Sequence, residues 1–305
     1  MATRRKTNKK PGRGGRIALG VFAALILALV VTAAVGLVNA NLLRIRRAEV
    51  VVENLPRGFD GVTLLYAADI DLSGMNTPQK SGALFEQLQS LRPDVLILGG
   101  DYNSVPLLDR LNRPDRSLGD EAEALRARTD FFQYISAFQA PLGKFAIAAT
   151  EDPQWQDLRQ VMAQSGVQPL FNDAAVIHSN GDALCLVGVC GKVSSLNDVS
   201  RHYSKYDCVV AICEGPDVLP ALMTSEASDS GPWTDLVLCG HTHGGQVRLF
   251  GRSLLTLSEV EQRFLRGWNT QSGIPMLTTE GVGCEGLNLR IGTSPEVWLI
   301  TLRRA

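Results

Sequence analysis

The chain has 305 residues, 45% hydrophobic and 20% charged, with 29 glycines and 14 prolines; this excludes a disordered chain, a collagen-like repeat and a pure coiled coil, and the length can bury a substantial core. The formal net charge of −1 hides a split, because residues 1–47 hold ten Lys/Arg and no Asp or Glu, leaving 20 basic and 31 acidic residues in 48–305. A body of net charge −11 is repelled by a phosphate backbone, so no nucleic-acid partner is expected.

Residues 1–16 read as a basic cytoplasmic tail. From 17 to 40 there are 24 consecutive uncharged residues, with only Thr32 and Asn39 polar. As a helix this run reaches roughly 36 Å, enough to span a bilayer core with some tilt. Seven positive charges precede it and three follow, so the N-terminus is expected in the cytoplasm and the body beyond the cell membrane, a single-pass arrangement. The competing reading is a cleaved signal peptide, since Val38-Asn39-Ala40 has a small-x-small pattern. Residues 41–47 then form a basic juxtamembrane linker, with Arg44, Arg46 and Arg47 snorkelling at the headgroups.

Residues 48–305 read as one α/β domain. Apolar or β-branched runs at 48–52, 63–67, 95–98, 144–148, 183–189, 208–213, 236–239, 246–250, 276–278 and 297–302 predict strands. Helical patterns start at Ser81 (stopped by Pro93), cover about 120–138, and follow Pro153. Residues 102–120 read as a surface loop. Early βαβ alternation followed by strand-rich hairpins predicts a layered architecture of two packed sheets. Five of the six cysteines sit in or beside apolar runs, and none forms paired C-x-x-C, so buried thiols are expected rather than disulfides or zinc ligands.

Acidic residues or histidines follow five strand ends, the place where open α/β sheets bind ligands. Asp69 and Asp71 follow LLYAA, Asp101 follows DVLILGG, Thr150-Glu151-Asp152 follows KFAIAA, Glu214 follows CVVAIC, and His241 and His243 follow DLVLCG. The glycine-flanked H-x-H pair is a frequent metal-binding arrangement. His178 and His202 stand alone and read as surface or satisfied core residues.

GHTHGGQ at 240–246 resembles the fifth block of the calcineurin-like metallophosphoesterases, in particular their membrane-anchored bacterial branch related to lipid-A-pathway pyrophosphatases. NLPRGFDGVTLLYAADIDL resembles that branch's first-block region and RPDVLILGGDY its second; the tail, with Gly281, Gly283, Arg290, Pro295 and Glu296, resembles its ending. The resemblance covers nearly the whole chain after the anchor. It implies a four-layer α/β/β/α sandwich of two mixed sheets. It also implies hydrolysis of phosphoester or diphosphate bonds at a two-metal centre that activates water against phosphorus.

Departures from the family pattern are concentrated at the site. Asp71 stands for the histidine of Asp-x-His, and Ser104 for the later Asp of Gly-Asp-x-x-Asp, while Asp101 keeps the bridging position. Thr150 and Glu151 replace the third-block Asn and His, and Glu214 replaces the fourth-block His. Carried over by position, one metal would meet Asp69, Asp71, Asp101 and His243; the other would meet Asp101, Thr150, Glu214 and His241. Carboxylates in place of imidazoles harden the site, favouring one or two Mn²⁺, Mg²⁺ or Ca²⁺ ions over Zn²⁺. Glu151, in the place of the catalytic histidine, donates a proton only while protonated, which adjacent metal ions oppose. Ordinary family activity is therefore expected to be weakened, by up to ~10²–10⁴ for a lost general acid.

Three readings follow. The first is a membrane-anchored, metal-dependent phosphoesterase with an altered site, acting on phosphorylated or diphosphate substrates near the bilayer. The second is a catalytically inactive pseudoenzyme, a binding or scaffold domain tethered to the membrane lipid. The third is a structural Ca²⁺-binding domain.

Overall fold

A computed structural model of the chain describes residues 13–305 except 74, 106, 108–110, 112–120, 150–154, 192–195, 255–260 and 271–272. Helix α1 (Arg13–Asn39) contains the apolar run and is long and apolar enough to cross a membrane. Its last turn docks on the domain. The Gly36 carbonyl accepts from the Arg290 backbone N–H at 3.1 Å, and Asn39 Nδ2 donates to the Arg290 and Thr293 carbonyls.

Two mixed sheets follow. The first holds β1 (Arg44–Val52), β2 (Thr63–Ala67), β3 (Val95–Leu98), β4 (Gly143–Ala146), β5 (Gln168–Pro169) and β14 (Glu296–Arg304), in the order β1-β14-β2-β3-β4-β5. The second holds β6 (Ala174–Ser179), β7 (Asp182–Val189), β8 (Val209–Cys213), β9 (Leu236–Cys239), β12 (Gly267–Asn269) and β13 (Met276–Thr278), in the order β12-β13-β9-β8-β7-β6. A two-stranded hairpin, β10 (Arg248–Leu249) with β11 (Arg252–Ser253), projects from the histidine loop. Strands β2, β3, β4 and β5 pair in parallel, as do β7, β8, β9 and β13. Sheets covered on both faces need continuously apolar strands, and every residue of β3, β8 and β9 is buried.

The largest core lies between the sheets, where Tyr66, Ile97 and Phe145 of the first meet Leu186, Ile212 and Leu238 of the second. Outside the first sheet, helices α2 (Pro78–Leu88), α3 (Glu121–Ala137) and α4 (Trp155–Gln164) pack, with Phe85, Phe131, Phe132 and Leu158 on Leu65, Leu96 and Leu98. Outside the second sheet, α5 (Asn197–Ser200) and α6 (Leu219–Thr224) contribute to a third core, with Leu222 and Trp233 near Val209, Ala211 and Val237. This is the expected four-layer α/β/β/α order. Thr77 caps α2 by accepting from the Lys80 N–H, with Pro78 at the first helical position, where its missing N–H costs nothing.

Two sequence expectations are corrected. The basic 41–47 stretch is linker only to residue 43, because β1 begins at Arg44 and runs parallel to β14, with Arg46 Nε 3.1 Å from buried Glu296. The 246–250 run is not a five-residue strand. Gln246 and Phe250 at its two ends adopt positive φ, which extended structure does not allow, so the strand shrinks to Arg248–Leu249, with Val247 making an isolated bridge to Ile291. All six cysteines are free thiols, four of them buried.

Candidate metal centre

The C-terminal ends of β2, β3, β8, β9 and β13 converge at the seam between the sheets. Their loops are built on unusual backbone. Asp69, Asp71, Asp101, His241, His243 and Gln246 all have φ between 44° and 69°. L-residues rarely take this left-handed region, and such strain collects where side chains must be aimed at a ligand. Glycines close around them. A Cβ at Gly240 would lie 2.6 Å from Asp69 Oδ1, and one at Gly283 would overlap Asp71 Cβ and the Ile70 carbonyl oxygen. Only glycine permits so close an approach.

Asp69 is buried. One carboxylate oxygen accepts from the His241 backbone N–H at 2.8 Å, fastening the histidine loop to the first sheet. The other has no hydrogen-bond partner, nor has either oxygen of Asp71, which is 0% exposed. Unsatisfied buried carboxylates are costly and point to a missing positive partner. Burial, then the neighbouring Asp101, pushes Asp69 up to about 7 and Asp71 well above the usual carboxylate range.

The two histidines diverge. His243 is 1% exposed, and burial, then the adjacent Arg290 guanidinium, holds it well below its ordinary value. It is neutral, as a metal ligand must be. Arg290 fixes this arrangement by donating to the Gly281, Gly283 and His243 carbonyls. His241 is more open, its Nδ1 3.6 Å from Asp101 Oδ2. Asp101 foremost, then Asp69 and Glu214, raise it to about 9 against the effect of burial.

Ligand atoms of Asp71, His243 and Glu285 lie within 4.8 Å of one another, the one such three-residue group among the described residues. Beside it, Asp69 and Asp101 each contact His241. Glu214 lines a small recess with His241, Gly215 and Asp217, and its carboxylate accepts from the Gly191 N–H at 2.9 Å. Thr150 and Glu151 lie outside the described residues. His178 and His202 stay exposed and away from the centre.

Glu285 and the roles of Ser104 and Gln246 are absent from the sequence reading. Glu285 follows no strand directly; it sits seven residues beyond β13, on a loop brought in by the Gly281–Gly283 turn. The signal available was an acidic residue just past those two glycines.

No protein-family model matches the chain. It is 26% identical over 304 residues to a "transmembrane protein with metallophosphoesterase domain" of Danio rerio, covering 95% of this chain and 65% of that protein's length. It is 28% identical over 223 residues to "phosphodiesterase YaeI" of Escherichia coli, covering 69% and 71%. An "uncharacterized metallophosphoesterase" of Aquifex aeolicus is 22% identical over 275 residues, covering 86% and 92%.

Proposed function

From this likeness to metallophosphoesterases, we propose that the chain is a member of the calcineurin-like metallophosphoesterase family and a membrane-anchored, divalent-metal-dependent hydrolase of phosphoesters or diphosphates. Its body stands outside the cytoplasm, with Arg-flanked α1 as the anchor. The carrying observation is the set of unpartnered, buried oxygens of Asp69 and Asp71 beside neutral His243. Such a donor set fits a hard cation, and Asp71, His243 and Glu285 are the residues that would hold it. A bound divalent ion supplies Lewis-acid polarisation of a phosphate oxygen and acidifies a water.

The chain's own residues do the rest. Asp69 ties the β9 loop to the first sheet, and Arg290 holds His243 in place, so the donor groups are preorganised. A groove of about 530 Å³ runs between the end of α1, helix α2 and residues 282–286. Leu42, Leu43, Ile45, Leu84 and Val282 make its wall apolar, and Ser104 and Cys284 form the end nearest Glu285. This supports a phosphate carried by an amphiphile at the bilayer surface.

The test is hydrolysis of bis(p-nitrophenyl) phosphate by the full chain in detergent. Turnover in Mn²⁺ should vanish with chelator and drop by ~10² or more in Asp101→Asn. No metal-dependent turnover in the parent would remove the proposal. The replacement of the third-block Asn and His by Thr150 and Glu151 favours the second reading, a membrane-tethered pseudoenzyme. It predicts stoichiometric metal with no turnover on any phosphoester.

A further inference from the structure

We propose that Glu285 is a metal ligand in this protein, completing with Asp71 and His243 a hard cation site whose third donor comes from outside the family's five blocks. This rests on the metal-dependent reading above and extends it to a specific ligand set.

Asp71 stands where the family's first block has a histidine; it is a fully buried carboxylate whose two oxygens accept no hydrogen bond. Asp71 Oδ2 lies 3.5 Å from His243 Nδ1, so one of the unsatisfied oxygens faces the histidine. A carboxylate of Glu285 closes the third side, all three donors within 4.8 Å.

Glu285 is held there. Its Oε2 accepts from Ser104 Oγ at 3.0 Å, and its backbone N–H donates to Gln246 Oε1 at 2.9 Å. Gln246 Nε2 donates back to the Glu285 and Leu287 carbonyls at 2.9 and 3.1 Å, and Ser104 Oγ also accepts from the Gly286 N–H. The segment is thus clamped from two directions, by the second block and by the last residue of the histidine loop. Residues that orient a ligand's free side are the usual second layer of a metal site.

This clamp links separate departures from the family pattern. The positions where Asp71 stands for the family's histidine and Ser104 for its aspartate both adjoin Glu285. Two carboxylates and one imidazole give a charge of −2, matching a divalent cation, and the O₂N donor set suits Mn²⁺. Without a cation, Asp71 and Glu285 would oppose each other in a largely dry site.

The experiment is a Mn²⁺ titration of the chelator-stripped full chain in detergent, followed by calorimetry and by the electron paramagnetic resonance of free Mn²⁺. Glu285→Gln keeps the shape and an oxygen for Ser104, and should weaken Mn²⁺ binding by roughly 100-fold; Ser104→Ala should weaken it by about tenfold. Metal-free melting temperatures report whether each variant folds. If Glu285→Gln binds Mn²⁺ like the parent, the ligand assignment is overturned while the metal-dependent reading stands. If the parent binds no Mn²⁺, both fall together. Should Glu285→Gln not fold, Ser104→Ala decides, and unchanged affinity there overturns the assignment.

Discussion

His241 and His243 stand two residues apart on one loop, yet their surroundings give them opposite protonation. His243 is enclosed by Asp71, the Glu285 segment and Arg290, and is neutral without any metal. His241, more exposed and beside Asp101, holds a proton up to about pH 9. The inner half of the centre is therefore prepared for a cation. The outer half already contains a positive charge, and an ion entering there must displace a proton, which makes that step pH-dependent. Sequence spacing alone treats the pair as equivalent; burial and partners separate them.

The largest expected effect tests how tightly the inner half is built. Gly283→Ala drives a methyl into Asp71 Cβ and the Ile70 carbonyl, whereas Gly215→Ala, beside His241, meets its nearest atom at 3.3 Å on extended backbone. We expect Gly283→Ala to cost about 3 kcal/mol and Gly215→Ala under about 1 kcal/mol, read from chemical denaturation. Equal costs would break the distinction between a close-packed and an open half.

Next comes metal affinity. His243→Gln removes a donor from the preformed group and should weaken Mn²⁺ binding by roughly 100-fold at pH 7, while His241→Gln should change it less than tenfold. Calorimetric titration of both variants checks this, and a reversed ranking would place the principal ion in the outer half.

The smallest effect is the pH profile of the metal-free protein. His241 is raised from 6.5 to about 9, so its contribution is complete below pH 6.5 and lost as pH climbs through 9. Asp69, raised from 3.8 to about 7, acts in the same direction, because between those values the fold keeps a proton that the unfolded chain releases. Melting temperature in chelator should fall by a few degrees from pH 5 to pH 9, and His241→Gln should flatten the part above pH 6.5. A profile that rises between pH 7 and pH 9 contradicts these assignments, since the lowered His243 opposes the fall only below pH 6.5.

Much of the fold is legible because buried parallel strands need unbroken apolar runs. The runs at 63–67, 95–98, 236–239 and 276–278 coincide with β2, β3, β9 and β13. Strand β6 escaped because only alternate residues are buried in Ala174–Ser179, giving it no continuous run. The 246–250 run misled because its apolar content says nothing of the left-handed φ at Gln246.

The sequence by itself determined the apolar helix, the alternation of strands and helices, the acidic balance of the body and the strand-end residues from which Asp69, Asp71, Asp101 and both histidines come. Those are properties of neighbours along the chain, carried by composition and periodicity. Only the tertiary structure decided which of these groups meet, that Glu285 joins Asp71 and His243, and that one histidine is charged while the other is not. Proximity across more than a hundred residues, and the dielectric each group feels, arise only when the two sheets close on one another.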